Sequence, residues 1–144
     1  MRELTFLSIV FVGLVTLACA GQSANPLSPA AQEPSASFYV ENHGNDARNL
    51  HLLIADTMRQ QGLQVTSGAR GGRPDNVTYI VSYTDRWAWD MRTYLARITI
   101  EARDSHSGAV VADSTKHQGS LAAMGKSFEE IIAATTTALF TGAP

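Results

Sequence analysis

The chain has 144 residues, a formal net charge of −2 and a single cysteine, and 17% of its residues are charged. This mixed, slightly acidic charge excludes the basic face that a nucleic-acid-binding protein needs, so we expect no nucleic acid partner. One cysteine cannot form a disulfide within the chain, so packing must supply the stability of the folded part.

The first predicted element is a lipoprotein signal sequence. Arg2 precedes an apolar run, 4–18, which stops at Cys19. A basic start, a hydrophobic stretch and small residues at the end are typical of a secretory signal peptide. A lone cysteine at the cleavage position is typical of bacterial lipoproteins, and the Thr-Leu-Ala-Cys sequence ending at Cys19 resembles a relaxed lipobox. We predict that residues 1–18 are removed and that Cys19 carries the lipid.

Two alternatives compete with this interpretation. A transmembrane helix needs about 20 apolar residues, whereas the run 4–20 has seventeen and contains Gly13 and two threonines. A plain signal peptide cut after Ala18 or Ala20 would discard Cys19 or leave an unpaired thiol, which secreted proteins tend to avoid. Lipidation is favoured because it consumes that thiol. Resemblance to bacterial lipoproteins with alanine after the cysteine implies an outer-membrane location, and two or more acyl chains make a stable anchor.

The next segment, 19–37, is predicted to be the lipidated cysteine followed by a flexible tether. It holds three prolines, many small residues and one charge, which cannot build a core. A flexible chain of this length spans only about 20–25 Å on average. We therefore expect a folded domain that sits just off the membrane and reorients freely.

Residues 38–144 are expected to form a single domain with one core. A short apolar run, 38–40, predicts a strand, and Asn45 or Asp46 is placed to cap the helix that follows. Gly62 is placed to end this helix. Its apolar side chains fall at helical spacing: Leu50, Leu53, Ile54 and Met58.

A brief strand at 63–65 and a glycine-rich loop at 67–76 come next. Residues 77–84 and 94–103 alternate between apolar and polar side chains, the period of a strand with one buried face. A polar strand at 109–117 is typical of a sheet edge or a wet face.

The last helix has the clearest boundary signal. Ser127 and Glu130 are spaced as a capping box, and an apolar stripe follows them. The whole order predicts an α+β fold, a two-layer domain with a mainly antiparallel sheet (β-α-β-β-β-β-α) and two helices on one face.

The segment 85–95, DRWAWDMRTYL, is the densest unusual run and holds both tryptophans. It resembles a family of small uncharacterised outer-membrane lipoproteins of Gram-negative bacteria, in which a Trp-x-Trp-Asp-Met-x-x-Tyr-Leu stretch leads into a meander and a closing helix ending in Leu-Phe. The resemblance covers about residues 45–141 and implies a location and a fold, but no activity. The matching residues are Trp87, Trp89, Asp90, Met91, Tyr94, Leu95, Lys126, Leu139 and Phe140.

Three roles are open for this segment. In the favoured one, one or both indoles cover the sheet while Asp90 closes the turn before the next strand. In the second, the segment is a ligand or partner surface, because tryptophan, tyrosine and arginine dominate interaction hot spots. In the third, a hairpin tip with two indoles and Met91 rests on the bilayer interface, where tryptophan is favoured. The residues of the candidate surface are Trp87, Trp89, Asp90 and Tyr94.

The sequence predicts no catalytic residue, no metal site and no cofactor, so we expect a protein that is not an enzyme. No two histidines share the i, i+4 spacing of a helical metal pair, and His43 with Asp46 would make only a local pair. Asp85 and Asp90 would lie about 16 Å apart on an extended strand, too far for paired acid–base carboxylates. The histidines are His43, His51, His106 and His117.

These features predict a non-catalytic, lipid-anchored binding or assembly module that faces the periplasm, with the membrane and an envelope protein as partners. The alternative is a small-molecule or glycan-binding domain that uses the surface from Trp87 to Tyr94. A pocket lined by both indoles and Tyr94 would favour the alternative. Indoles packed under a helix beside an exposed edge strand would favour a protein partner.

Overall fold

A computed structural model describes residues 21–143, so the predicted signal peptide and the predicted lipidation of Cys19 lie outside the described residues. The strands are β1 (Gly21–Asn25), β2 (Ser37–Asn42), β3 (Gln64–Ala69), β4 (Tyr79–Asp90), β5 (Arg92–Asp104) and β6 (Val110–His117). The helices are α1 (Leu50–Gln60), α2 (Ser120–Ala123) and α3 (Phe128–Thr141), with a 3-10 turn at Pro29–Gln32. None of the helices within 21–143 is both long and apolar enough to cross a membrane.

The predicted α+β fold is confirmed as one open six-stranded sheet in the order β1-β6-β5-β4-β2-β3. The pairs β1–β6, β5–β6 and β4–β5 are antiparallel. The pairs β2–β3 and β2–β4 are parallel. Helix α1 returns the chain to the end of the sheet where β2 began, and the segment 70–78 does the same between β3 and β4. Helices α1 and α3 pack against each other and against the sheet, where they enclose one apolar core.

The core and the start of α3 agree with local patterns in the sequence. Ile54 and Met58 of α1 and Ile132 and Leu139 of α3 are fully buried against the sheet. The predicted capping box of α3 is confirmed, since the Ser127 hydroxyl accepts from the amide of Glu130 at 3.2 Å and the Glu130 carboxylate accepts from the amide of Ser127 at 2.8 Å.

The segment 21–36 packs on the domain, so the prediction of a flexible tether across 19–37 is wrong for these residues. Strand β1 pairs with β6 from Gly21 opposite His117 to Asn25 opposite Asp113. Beyond β1, Leu27 is buried and its amide donates to the carbonyl oxygen of Leu139 at 2.8 Å. The backbone of β6 supplies hydrogen-bond partners that a strand without apolar side chains can use. The domain therefore includes β1, and β6 is an interior strand with one wet face.

Strand β3 also differs from the prediction, because it continues through Gly68 into the expected loop 67–76. A Cβ atom at Gly68 would lie 2.6 Å from the hydroxyl oxygen of Tyr39, a buried side chain of the adjacent strand. That hydroxyl donates to the carbonyl oxygen of Ala69 at 2.9 Å. Glycine at position 68 therefore allows the Tyr39 side chain to approach the backbone of β3 closely. The composition of this segment is that of a loop, although the segment forms a strand.

Candidate functional site

The β4–β5 hairpin carries the predicted surface and projects beyond its neighbours. A bulge after Arg86 shifts the register, so that Trp87 lies opposite Leu95 and Asp90 opposite Arg92. Met91 closes the turn with a φ of 59°. Both indoles belong to the part of β4 that pairs only with β5, since β2 pairs with β4 as far as Val81 and β6 pairs with β5 as far as Arg97, opposite Arg86.

Trp87 lies at the base of this projection and is half-buried. Its indole Nε1 donates to Asp85 at 2.7 Å, and the ring packs edge-on against Phe128 of α3 with 5.6 Å between ring centroids. The guanidinium of Arg48 lies 3.8 Å from the centre of the indole ring, a cation–π distance. These contacts on three sides fix the ring between the start of α3 and the loop before α1.

Trp89 lies at the tip and is 76% exposed, and Met91 beside it is 91% exposed. The segment around α2 lies next to this hairpin, because the guanidinium of Arg92 donates to the carbonyl oxygen of Ala123. Leu121 and Met124 of that segment are also exposed, at 72% and 66%. We call these four apolar side chains the tip patch: Trp89, Met91, Leu121 and Met124. Asp90 is exposed at the same tip.

Tyr94 is half-buried and shares a pocket of about 160 Å³ with Trp87, Arg92 and Gln118. Ligand pockets for small molecules are usually about 300–1,000 Å³. Trp89 does not line this pocket, and neither does any carboxylate of residues 21–143. The structure therefore brings Trp87 and Tyr94 together and leaves Trp89 and Asp90 outside.

A polar cluster lies at the start of α1 around Asp46, which the sequence offered as a helix cap without its further partners His51 and Tyr83. Its carboxylate accepts from the amides of Leu50 and His51 at 2.8 and 3.0 Å and from the hydroxyl of Tyr83 at 2.7 Å. The Nδ1 atom of His51 lies 2.6 Å from the same carboxylate. Burial by itself raises the pKa of Asp46, but these hydrogen bonds outweigh burial and lower its pKa to about 2. Asp46 is thus a charged cap that ties α1 to β4.

The residues around Asp46 extend this cluster towards Trp87. Burial, followed by the hydrogen bond to Asp46, raises the pKa of the Tyr83 hydroxyl. The prediction that pairs His43 with Asp46 is wrong, since the Nε2 atom of His43 lies 3.1 Å from Asp85 instead. Asp85 comes from a strand that is distant in sequence, so spacing alone could not identify it. It joins His43 to Trp87 and is not paired with Asp90.

The remaining histidines lie apart from this cluster. The Nε2 atom of His117 lies 3.1 Å from the guanidinium of Arg97, and His106 lies in the β5–β6 turn. Within residues 21–143, no group of three or more histidine, cysteine or acidic side chains is placed to hold a metal ion.

No protein-family model matches the chain, and no curated protein matches it. Among solved structures, the PelC dodecamer from Paraburkholderia phytofirmans is similar with a TM-score of 0.60 and 18% identity, over 84% of this chain and 94% of that chain. A point variant of the same PelC gives a TM-score of 0.57 at 18% identity, over 84% and 95%. A minor lipoprotein from Acinetobacter baumannii gives 0.38 at 13% identity, over 81% and 95%. The chain shares its fold with PelC.

Proposed function

We propose that the protein is a non-catalytic, lipid-anchored assembly module of the outer membrane that faces the periplasm. The observation that carries this proposal is the fold shared with PelC, whose structure is a dodecamer and 94% of whose chain is matched. In this proposal the domain works through contacts between copies and with an envelope protein, and chemistry at a catalytic centre plays no part.

Two features of the domain support a non-catalytic assembly role, the first for assembly and the second against catalysis. The sheet is open at β1 and at β3, so both edges offer backbone groups to a further strand. The titratable groups with the most altered pKa values, Asp46 and Tyr83, are bonded to each other and to the start of α1. A carboxylate that accepts bonds from a helix start in this way stabilises the fold and is not poised for proton transfer.

The anchor half of the proposal is tested by metabolic labelling with a fatty acid in cells. We expect the mature protein to incorporate the label through Cys19, which requires the thiol. A Cys19→Ala variant should lose the label, and a Cys19→Ala variant that keeps it would contradict lipidation at this residue.

The assembly half is tested by measuring the mass of the full lipidated chain in detergent by light scattering, across a range of protein concentrations. We expect a mass of several protomers that persists on dilution. A mass of one protomer at every concentration would overturn self-assembly while leaving the anchor untouched.

A second function, binding of a small polar ligand such as a sugar unit, is supported by the pocket that Trp87, Arg92 and Tyr94 line. A few polar groups beside an aromatic ring, here Arg92 and Gln118 beside Tyr94, are the lining that orients a small polar ligand. Titration with a panel of neutral sugars, followed by the amide NMR signals of β5, tests it. A Tyr94→Ala variant should lose any shift, and unchanged signals in the parent protein would reject this function.

A further inference from the structure

The strand register places the start of β1 at the end of the sheet from which the hairpin projects. Gly21 lies opposite His117, and His117 lies opposite Arg97 on β5. Arg97 in turn lies opposite Arg86 on β4. These residues form one row across the sheet, and β4 continues for four residues beyond it, to Asp90. The beginning of the described chain and the hairpin tip therefore share one end of the molecule.

The number of residues beyond this row shows how far Cys19 and the hairpin tip can each extend from it. Cys19 precedes Gly21 by two residues, which can span at most about 7 Å. Four residues of strand carry the hairpin about 13 Å beyond the row that contains Gly21. The tip thus reaches about 6 Å further than Cys19 can. Apolar faces that lie on membranes are buried about 5–10 Å at the boundary between headgroups and acyl chains.

The exposed side chains at this end suit the same environment. Six large apolar side chains are exposed in the described part of the chain, and the four of the tip patch are among them. Tryptophan and tyrosine are enriched at membrane interfaces.

Cations flank the patch. Lys116 and Lys126 line an open pocket with Gln22 of β1, and Arg92 lines another pocket with Lys126. The carboxylates at this end are Asp85, Asp90, Glu129 and Glu130. Asp85 accepts from the indole of Trp87 and Glu130 accepts from the amide of Ser127, while Asp90 and Glu129 are exposed. Arg92, Lys116 and Lys126 can pair with the phosphate groups of lipids.

We propose that the tip patch docks on the lipid bilayer that holds the anchor, so that the domain contacts the membrane at two places. The inference rests on the proposed anchor at Cys19. Anchoring raises the local concentration of the patch at the surface, so a contact that is weak by itself becomes occupied. With β1 fixed to the sheet, the two contacts set the orientation of the domain and hold Trp87 above the membrane.

Single-tryptophan variants test this docking. Trp87→Phe leaves Trp89 as the one indole, and Trp89→Phe leaves Trp87 as a matched control two residues away. The full lipidated chain of each is reconstituted into vesicles of phosphatidylethanolamine and phosphatidylglycerol, with or without bromine on the acyl chains. We expect bromine to quench Trp89 emission and to leave Trp87 emission unchanged. In the Trp87→Phe background, Leu121→Ser with Met124→Ser should reduce the quenching, whereas Val110→Ser at the opposite end of β6 should not.

Vesicle flotation distinguishes docking of the tip patch from the lipid anchor on which it rests. Protein that floats with the vesicles while Trp89 stays unquenched would overturn docking and leave the anchor in place. If Trp89 is then also shielded from acrylamide in water, the patch is a contact between protein chains. A full chain that does not float would overturn the anchor and the docking together.

Discussion

Trp87 and Trp89 lie two residues apart on one strand, and their surroundings are opposite. Trp87 is held by Asp85, Arg48 and Phe128, whereas Trp89 is 76% exposed. The alternation of a strand sets only the direction of a side chain, and burial depends on how far the covering elements extend. At the base, the loop before α1 and the start of α3 still cover β4. At the tip they have ended.

The same contrast separates charged groups from apolar ones. The base contains Asp46 and Asp85, whose carboxylates are bonded to helix amides, to Tyr83 and to Trp87. The tip presents apolar side chains with few neighbours. We therefore assign stability to the base, whereas the docking proposal assigns membrane contact to the tip, and three changes test this division.

The largest effect is expected for Asp46→Ala. The change leaves the amides of Leu50 and His51 and the hydroxyl of Tyr83 without their acceptor, so unfolding free energy should fall by about 3 kcal/mol. Urea denaturation followed by circular dichroism measures it. Asp90→Ala at the tip is the matched control and should change stability by less than about 0.5 kcal/mol. Equal losses at the two aspartates would contradict the division.

The two tryptophans provide the next test. Trp87→Ala should cost about 2 kcal/mol, because it removes a half-buried ring with its cation–π and edge-on contacts. Trp89→Ala should change stability by less than about 0.5 kcal/mol. Thermal unfolding of both variants decides the matter, and a larger loss for Trp89→Ala would show that the tip is part of the core.

Low pH should destabilise the part of the fold around Asp46, at the lower end of the hairpin, and leave the hairpin tip unaffected. The pKa of Asp46 is about 2 in the folded protein, below its ordinary value of 3.8. A lowered pKa contributes stability that is complete above about pH 4 and is lost as the pH falls towards 2, amounting to about 2 kcal/mol. Urea midpoints between pH 5 and pH 2 should therefore fall more steeply for the parent than for Asp46→Asn. An equal fall of the urea midpoint with pH in both proteins would mean that folding does not lower the pKa of Asp46.

The smallest effect is expected at Gly68, which lies in neither region. An added Cβ must displace the Tyr39 hydroxyl from its bond to Ala69, so Gly68→Ala should cost about 1 kcal/mol. In a Tyr39→Phe background the hydroxyl is absent and the same change should cost less. A double-mutant cycle of unfolding free energies checks this coupling, and additive losses would rule it out.

Local signals in the sequence predicted most of the fold. The capping box at Ser127, the glycine after α1 and the alternation along β4 each need only neighbouring residues, and the structure contains all of them. On β5 the alternation holds from Ile98 to Ala102 and breaks at the register shift, where Leu95 is buried instead of its neighbours. Strand β1 was missed because its pairing with β6 is supplied by a distant strand and its own residues show no apolar alternation. The buried Leu27 was the available signal, as the one large apolar residue in a segment rich in small residues.

The site was predicted less completely for the same reason. The motif identified the hairpin, but the exposure of Trp89 depends on where α3 and the loop before α1 end. The bond from His43 to Asp85 joins the loop after β2 to β4, and no spacing along the chain encodes it. In contrast, Asp46 and His51 are close in sequence, so their spacing along the chain is enough to predict that they pair.

The central claim is that β1 fixes the start of the domain at the end that carries the tip patch. Hydrogen exchange of the amides between Gly21 and Asn25 in the full chain tests it most directly. We expect alternate amides to be protected to the same degree as their partners on β6, because antiparallel pairing occupies every second amide of an edge strand. Exchange of all of these amides at the rate of an unstructured peptide would restore the flexible tether and contradict the account.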